Sequence, residues 1–218
     1  MATDRLSLYK IALVACGERT IASLSEPREP RRLLDEVWNR GSGVVKYVLE
    51  QGLWNFAIRT SKLDSSSSIS TSFGYTFTFE MPSDYVRLVE LSSGEYFTQP
   101  MTRYEIEQAS LYADVDPIYM RYISDNSSYG SDLSLWPETV SLWTGHWMGV
   151  QIAPALKNDL DMDRLERRTR RYLHDARSKD AQQDPTRWPP LSSWASARLN
   201  RIGHGGRRDR GSRGSLIG

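Results

Sequence analysis

The sequence contains little cysteine and histidine: one Cys and three His in 218 residues. A single cysteine, Cys16, excludes an intramolecular disulfide framework. The three histidines, His146, His174 and His204, are too few and too widely spaced to complete a structural zinc site with it. We therefore expect a fold that is stabilised by neither disulfides nor a structural metal.

Long hydrophobic runs are also absent. The apolar stretch from Ile11 to Cys16 is far shorter than the roughly 20 residues of a membrane span. It follows Asp4 and Lys10 instead of a signal-peptide pattern. With 39% hydrophobic and 25% charged residues, the composition is ordinary for a soluble globular protein. We expect a non-secreted protein with no membrane partner.

Familiar catalytic and cofactor motifs are missing as well. The sequence has no G-x-S-x-G, no H-E-x-x-H and no Walker A segment. The acids of "DLDMDRLERRTR" suggest a calcium loop, but Arg164 replaces the glycine of the sixth position and Arg170 the glutamate of the twelfth. "GHGG" is not preceded by a strand or followed by a helix, which a dinucleotide loop requires. The sequence predicts no cofactor and no enzymatic activity.

The charge is unevenly distributed along the chain. The net charge of +1 combines about −5 for residues 1–184 with +6 from Pro185 onward, where seven arginines accompany one acid, Asp209. A basic, Arg-rich arm on an acidic body indicates contact with an acidic partner surface or a nucleic acid. The alternative is a solvated, disordered tail.

Helical spacing predicts a first helix of about three turns near the start of the chain. Thr3 or Asp4 is the expected N-cap, and Gly17 is expected to end the helix. A second helix of about twenty residues is predicted from Pro30 to Gly52, because its apolar residues recur every three or four positions.

Two glycines interrupt that second helix, and helical spacing returns late in the chain. Gly41 and Gly43 indicate either close helix packing or a kink. A third helix is predicted after Pro137, with an apolar ridge that Pro154 should bend. The acidic residues within 159–163 predict the start of a fourth helix, because negative charges are favourable near the positive end of a helix dipole. Four helices of this kind are able to pack as a bundle.

Between the helices the spacing becomes alternating, which indicates strands. Strands are predicted in "LWNFAIRTSKL", "SFGYTFTFEMP", "EYFTQP" and "PIYMRYIS", while "PSDYVRLVEL" fits either a short helix or a strand. Trp54 and Phe56 are candidate interface anchors or core residues, and the alternation favours core.

Together these patterns predict an α+β protein. It would consist of an antiparallel α-helical bundle, an inserted small antiparallel β domain and an extended C-terminal arm. The expected divisions are 1–52 for the first two helices, 53–132 for the β domain, 133–183 for the last two helices and 184–218 for the basic arm.

Four segments in a fixed order resemble the tail tubular protein A family, the head-to-tail adaptors of tailed bacteriophages. They are "LYKIALVACGERTIASLSE", "PRRLLDEVWNRGSGVVKYVLEQGLWNFAIR", "PIYMRYI" after aromatic strands, and "LWPETVSLWTGHWMGVQIAP". The most specific pieces are the Gly17-Glu18 turn leading to Ile21, Leu24 and Glu26, and Gly52 followed by Trp54-Asn55-Phe56. The resemblance covers roughly residues 6–180.

The resemblance implies a structural virion protein at the head-tail interface, made in the host cytoplasm. Such a protein forms a ring, typically a dodecamer, beneath the portal protein and above the tail nozzle or tail tube protein. Phage DNA passes through the channel of the ring. The family has no catalytic motif to carry over.

The arm suggests a binding role, although the resemblance does not extend to it. We expect it to leave the body extended, with Pro189 and Pro190 favouring that conformation, and to dock onto portal subunits. Arg and aromatic residues are enriched at binding hot spots. The candidate portal-binding residues are Arg187, Trp188, Trp194, Arg198, Leu199, Arg201, Ile202, Arg207, Arg208, Arg210 and Arg213.

Two other functions stay open at this point. "GGRRDRGSRG" resembles the Arg-Gly segments that bind single-stranded nucleic acid, so the arm is a candidate DNA-binding segment. A cell-wall hydrolase would need a pair of carboxylates in a cleft, and no sequence feature favours one.

Overall fold

The computed structural model describes residues 3–67, 74–98, 100–156 and 161–183, and these ranges contain five α-helices and six β-strands. The protein is therefore α+β, as predicted. The helices are α1 (Arg5–Ala15), α2 (Glu29–Asn39), α3 (Gly43–Glu50), α4 (Glu138–Ile152) and α5 (Met162–Ala181). The strands are β1 (Ile58–Leu63), β2 (Phe77–Glu80), β3 (Tyr85–Ser92), β4 (Glu105–Glu107), β5 (Ser110–Ala113) and β6 (Ile118–Ser124).

Local capping fixes both ends of α1. The Asp4 carboxylate accepts a hydrogen bond from the Ser7 amide at 2.7 Å, and the Ser7 hydroxyl returns to the backbone of Asp4. Gly17 has φ +71°, a left-handed conformation that ends a helix at little cost. The predicted N-cap and the predicted stop are both confirmed.

The single helix predicted from Pro30 to Gly52 is wrong. The structure has two helices there, α2 and α3, separated by a turn in which Gly41 has φ +59° and Gly43 has φ +88°. A right-handed helix cannot continue through left-handed residues. The described part of 1–52 therefore holds three helices instead of two.

The helix α4 lies at the centre of the helical part and packs against α1, α2 and α5. Nine of its fifteen residues are buried, on all sides of the helix, as expected for a helix that is apolar all round. It begins after Pro137, as predicted. At Pro154 the prediction is wrong: α4 ends at Ile152 and a 3-10 turn, Ala153–Leu156, follows instead of a bent continuation. A proline has no N–H to extend the helix.

Two glycines bring α1 close to α4. A Cβ added at Gly145 would lie 2.5 Å from Cγ2 of Ile11, and one added at Gly149 would lie 3.0 Å from the carbonyl oxygen of Ala12. The Cys16 thiol donates a hydrogen bond to the Gly149 carbonyl at 3.2 Å, and burial raises the pKa of this thiol to about 11. The two helices therefore meet backbone to backbone.

The strands form two three-stranded antiparallel sheets, with the orders β1-β6-β3 and β2-β5-β4. The segment "PSDYVRLVEL" is thus resolved as the strand β3. The buried apolar residues form two clusters, one in the helical part and one in the β region. The central strand β6 connects them, because Ile123 packs with the helices and Met120 and Tyr122 pack inside the β region.

Two strand predictions need correction, and one hairpin was missed. Residues 55–57 form a 3-10 turn, and β1 starts only at Ile58. In "EYFTQP" the described residues contain no strand, and Phe97 has φ +54° there. The β4–β5 hairpin was not predicted, because its turn residue Gln108 adopts φ +51° without being glycine. Residue Phe73 of the predicted second strand lies outside the described residues.

The last helix returns to the start of the β region. Asp161 caps α5 by accepting a hydrogen bond from the Arg164 amide at 3.0 Å. Near its other end, the Asp180 carboxylate accepts from the backbone N–H of Asn55 at 3.2 Å, and the Asn55 side chain donates to the Asp180 carbonyl at 2.9 Å. These bonds join α5 to the turn that precedes β1.

By its contacts the chain divides into two units, residues 1–183 and 184–218. The second unit lies outside the described residues. Within the described ranges, no helix has both the length and the apolar character required to cross a membrane.

Candidate interaction surface

The eleven residues predicted to bind the portal, from Arg187 to Arg213, all lie outside the described residues. The prediction for the arm therefore stays a prediction. The described unit offers a different candidate, a groove on the outside of the helical part.

This groove runs between α1, α4 and α5 and has a volume of about 350 Å³. Most of its lining side chains are apolar or aromatic, and two of them, Lys10 and Arg168, are cationic. A second hollow of similar size continues it along α4 and α5 and shares two of its residues, Leu142 and Tyr172. The groove is lined by Lys10, Ile11, Val14, Ala15, Leu142, His146, Arg168 and Tyr172.

The groove exists because α1 is apolar on two faces. Leu8, Ala12 and Leu13 are buried in the core, whereas Val14 is 64% exposed on the groove side. Ile11 and Val14 are three residues apart, so they share that side of the helix. The exposed Val14 and the half-buried Ile11 and Ala15 make this side of α1 apolar.

Tyr172 forms the wall contributed by α5. The Arg168 guanidinium donates a hydrogen bond to the Tyr172 hydroxyl at 2.9 Å and lies 5.5 Å from the centre of its ring. The His146 ring meets the same tyrosine edge-on, with 4.6 Å between the ring centres. Tyr172 is therefore held in place from two sides before any partner arrives.

His146 contributes shape to the groove rather than charge. Its side chain is only 5% exposed, and its Nδ1–H donates to the Leu142 carbonyl at 2.9 Å. Burial lowers the pKa of His146, and the nearby Arg168 acts in the same direction. The imidazole is neutral at pH 7, so the positive charge of the groove comes from Lys10 and Arg168.

Trp54 and Phe56 take no part in the groove. Trp54 is 1% exposed, and its indole N–H donates to the Val48 carbonyl at 2.7 Å. Phe56 is partly buried against Trp136, with 6.0 Å between the ring centres. The preference for core over interface anchors is confirmed.

The β region carries the opposite charge. Residues 53–132 contain eleven acidic and five basic residues, a net charge of −6. The strand β4 is the edge of its sheet, and its three residues, Glu105, Ile106 and Glu107, are all exposed. Edge strands are sites where other chains dock. The β region is therefore negatively charged, whereas the charged side chains that line the groove are positive.

A buried polar network stabilises the β region. The Asp84 carboxylate accepts hydrogen bonds from Arg59 at 2.7 Å, Tyr122 at 3.0 Å and Ser124 at 2.5 Å. Burial acts to raise the pKa of Asp84, but the bonds from Ser124, Arg59 and Tyr122 outweigh burial and hold the pKa below its usual value. Burial and the bond to Asp84 raise the pKa of Tyr122 to about 12. The network links β1 and β6 to the start of β3.

Within the described ranges, no group of three or more His, Cys, Asp or Glu side chains is placed to hold a metal ion. No protein-family model matches the chain, and no curated protein matches it either. The geometry of the described surface is therefore the basis for assigning a role.

The sequence patterns do not predict the groove. The predicted first helix includes Ile11, but its pattern does not distinguish the exposed Val14 from the core residues beside it. The signal was available: α1 has more apolar residues than one core face requires. The opposite wall comes from residues 142–172, and no local pattern shows that they meet α1.

Proposed function

We propose that the protein is a head-to-tail adaptor of a tailed bacteriophage, forming a ring between the portal and the tail nozzle or tube and providing the channel for DNA. The order of sequence segments over residues 6–180 supports this family. The groove between α1, α4 and α5 is the structural observation that carries the proposal. Subunit interfaces combine apolar and polar side chains, and the groove is lined by both.

A ring requires each copy to contact its neighbours through two different surfaces. In this proposal the helices pack as a bundle, whose groove supplies one of these surfaces, and the ring has twelve copies. The β region then presents its loops to the tail protein. The extended arm, residues 184–218, docks onto portal subunits through its Arg and Trp residues, the residue types that dominate binding hot spots.

The direct test is electron microscopy of the purified full-length protein mixed with portal rings. We expect a second ring seated on one end of the portal. A chain that stays monomeric in the presence of portal rings would reject the proposal.

The arm is tested with the full-length double substitution Trp188→Ala and Trp194→Ala. We expect portal binding to weaken at least about 100-fold, because losing two hot-spot residues costs about 2 kcal/mol each or more. The control is Tyr96→Ala, which removes an 81% exposed aromatic side chain from the β region and should leave portal binding unchanged. Equal portal binding by the double variant and the control would remove the arm from the portal contact.

The second candidate function is DNA binding through the Arg/Gly-rich arm, which the +6 charge from Pro185 onward favours. Phosphate contacts release counterions, so the affinity for DNA would fall steeply with salt. A gel-shift titration of the full-length protein with DNA from low to high salt tests this function. The absence of a complex at low salt would exclude it and leave the portal proposal intact.

A further inference from the structure

We infer that the groove between α1, α4 and α5 receives the acidic β4 edge of a second copy of this chain. This inference rests on the proposed function, since it names the contact through which neighbouring copies would form the ring.

The groove defines the chemistry of its partner. Its lining includes the apolar side chains of Ile11 and Val14 and the cationic groups of Lys10 and Arg168. Within the described residues, neither Lys10 nor Arg168 has an acidic partner, and the hydrogen bond of Arg168 goes to the Tyr172 hydroxyl. A complementary partner needs carboxylates that can reach both cations.

The β4 edge offers such carboxylates. Glu105 and Glu107 are both exposed, and because side chains alternate along a strand they share one face of β4, while Ile106 lies on the other face. Neither glutamate has an ion pair elsewhere in the described part of the chain. Because β4 is an edge strand, its outer backbone groups also face away from its own sheet. The edge can therefore approach a groove without disturbing the sheet.

The neighbouring turn is a poorer fit, although it has a similar sequence. Val115 is 41% exposed between Asp114 and Asp116. The Asp114 carboxylate pairs with Arg103 at 3.2 Å, and the Asp116 carboxylate accepts from the Ser65 hydroxyl at 2.7 Å. Those acids are already compensated, so docking them would break existing bonds. The β4 edge has no such cost.

The groove and the β4 edge are different surfaces built from different elements of the same unit. When one copy inserts its edge into the next, its own groove stays available for a third copy. Such a heterologous contact closes into a ring or continues as a filament. These two surfaces therefore provide the head-to-tail contact between neighbouring copies that an adaptor ring requires.

Charge reversal in the full-length protein tests this contact. One variant carries Lys10→Glu and Arg168→Glu, and the other carries Glu105→Lys and Glu107→Lys. We expect each variant alone to associate at least about 100-fold more weakly than the wild type, because like charges placed together at an interface oppose binding strongly. Association is measured by sedimentation velocity, both alone and on portal rings.

Mixing the two variants is the decisive step. In an equimolar mixture every edge can meet a groove of opposite charge, so association should return towards the wild-type level. The exposed residues Arg32 and Glu36 on α2 provide the matched control: Arg32→Glu with Glu36→Lys should associate like the wild type. Circular dichroism confirms that each variant is folded, and high salt should weaken the recovered assembly.

The outcomes separate this inference from the proposed function. If the wild type forms rings on the portal and either reversal variant does so equally well, the contact is wrong and the adaptor proposal stands. If folded variants do not recover on mixing, the pairing of these two surfaces is also wrong. A wild type that stays monomeric both alone and with portal rings overturns the inference together with the proposed function.

Discussion

Replacing Gly145 by alanine tests the close contact between α1 and α4. The new Cβ would lie 2.5 Å from Cγ2 and 2.6 Å from Cβ of Ile11, and 3.2 Å from the carbonyl oxygen of Leu8. The Ile11 Cβ is bonded directly to the backbone, so it cannot swing aside. The whole of α1 must therefore move away from α4.

Two effects of opposite sign determine the change in the free energy of unfolding. Alanine favours the helix over glycine by about 1 kcal/mol. Overpacking a tight core contact costs roughly 1–3 kcal/mol, and the lack of a flexible neighbour places this site near the upper end. We expect Gly145→Ala to lose about 2 kcal/mol of stability. For a unit of this size that lowers Tm by about 4–8 °C.

Urea and thermal unfolding followed by circular dichroism provide the assay. The matched control is Gly94→Ala, because an added Cβ there meets nothing within 4 Å. That change should be neutral or should stabilise by up to about 1 kcal/mol, through the unfolded state. A Gly145→Ala protein as stable as the wild type would show that α1 and α4 are not packed as described.

Two further predictions concern polar groups. Asp84→Ala leaves the buried hydroxyls of Tyr122 and Ser124 without their acceptor, so we expect a loss of about 2–4 kcal/mol in urea unfolding; an unchanged midpoint would contradict the network. The folded-state pKa of His146 is lowered, so the unfolded state binds more protons and stability should fall as pH drops below about 6.5. His146→Gln should flatten that dependence in thermal unfolding between pH 7.5 and 5, and an unchanged slope would show that another group is responsible.

The sequence predicted the features that depend on a few neighbouring residues. The cap at Asp4, the stop at Gly17 and the start after Pro137 follow from local hydrogen bonding and backbone sterics. The strand β6 was predicted from its alternating sequence, and its burial alternates accordingly over its first residues. Such features need no information about the rest of the chain.

The errors arose where local patterns fit two structures. An apolar periodicity continues through Gly41 and Gly43, so it does not reveal that both residues adopt positive φ. Trp54 and Phe56 alternate like a strand, but the ring of Trp54 is fixed by a hydrogen bond to α3 and the backbone turns around it. The β4–β5 hairpin lacks the glycine that usually marks such a turn.

The candidate site could be predicted only in part. The composition shows directly that residues from Pro185 onward are basic and that residues 1–184 are acidic. The groove combines residues of α1 and α5, which are more than 140 residues apart in the sequence. Patterns in a single sequence do not show which distant segments come together. The cationic part of the groove combines Lys10 with Arg168, two residues that look like ordinary solvent-exposed charges when each is taken alone.

The contact between α1 and α4 also sets the timing of folding during synthesis. Cys16 and Gly149, which share a hydrogen bond, are 133 residues apart. At ribosomal rates of about 5–20 residues per second, roughly 7–27 seconds separate the synthesis of these two residues. During that interval α2 is already available to α1, but the side chains of α1 that pack against α4 have no partner. We therefore expect the nascent chain to expose part of its apolar surface until its central helix emerges.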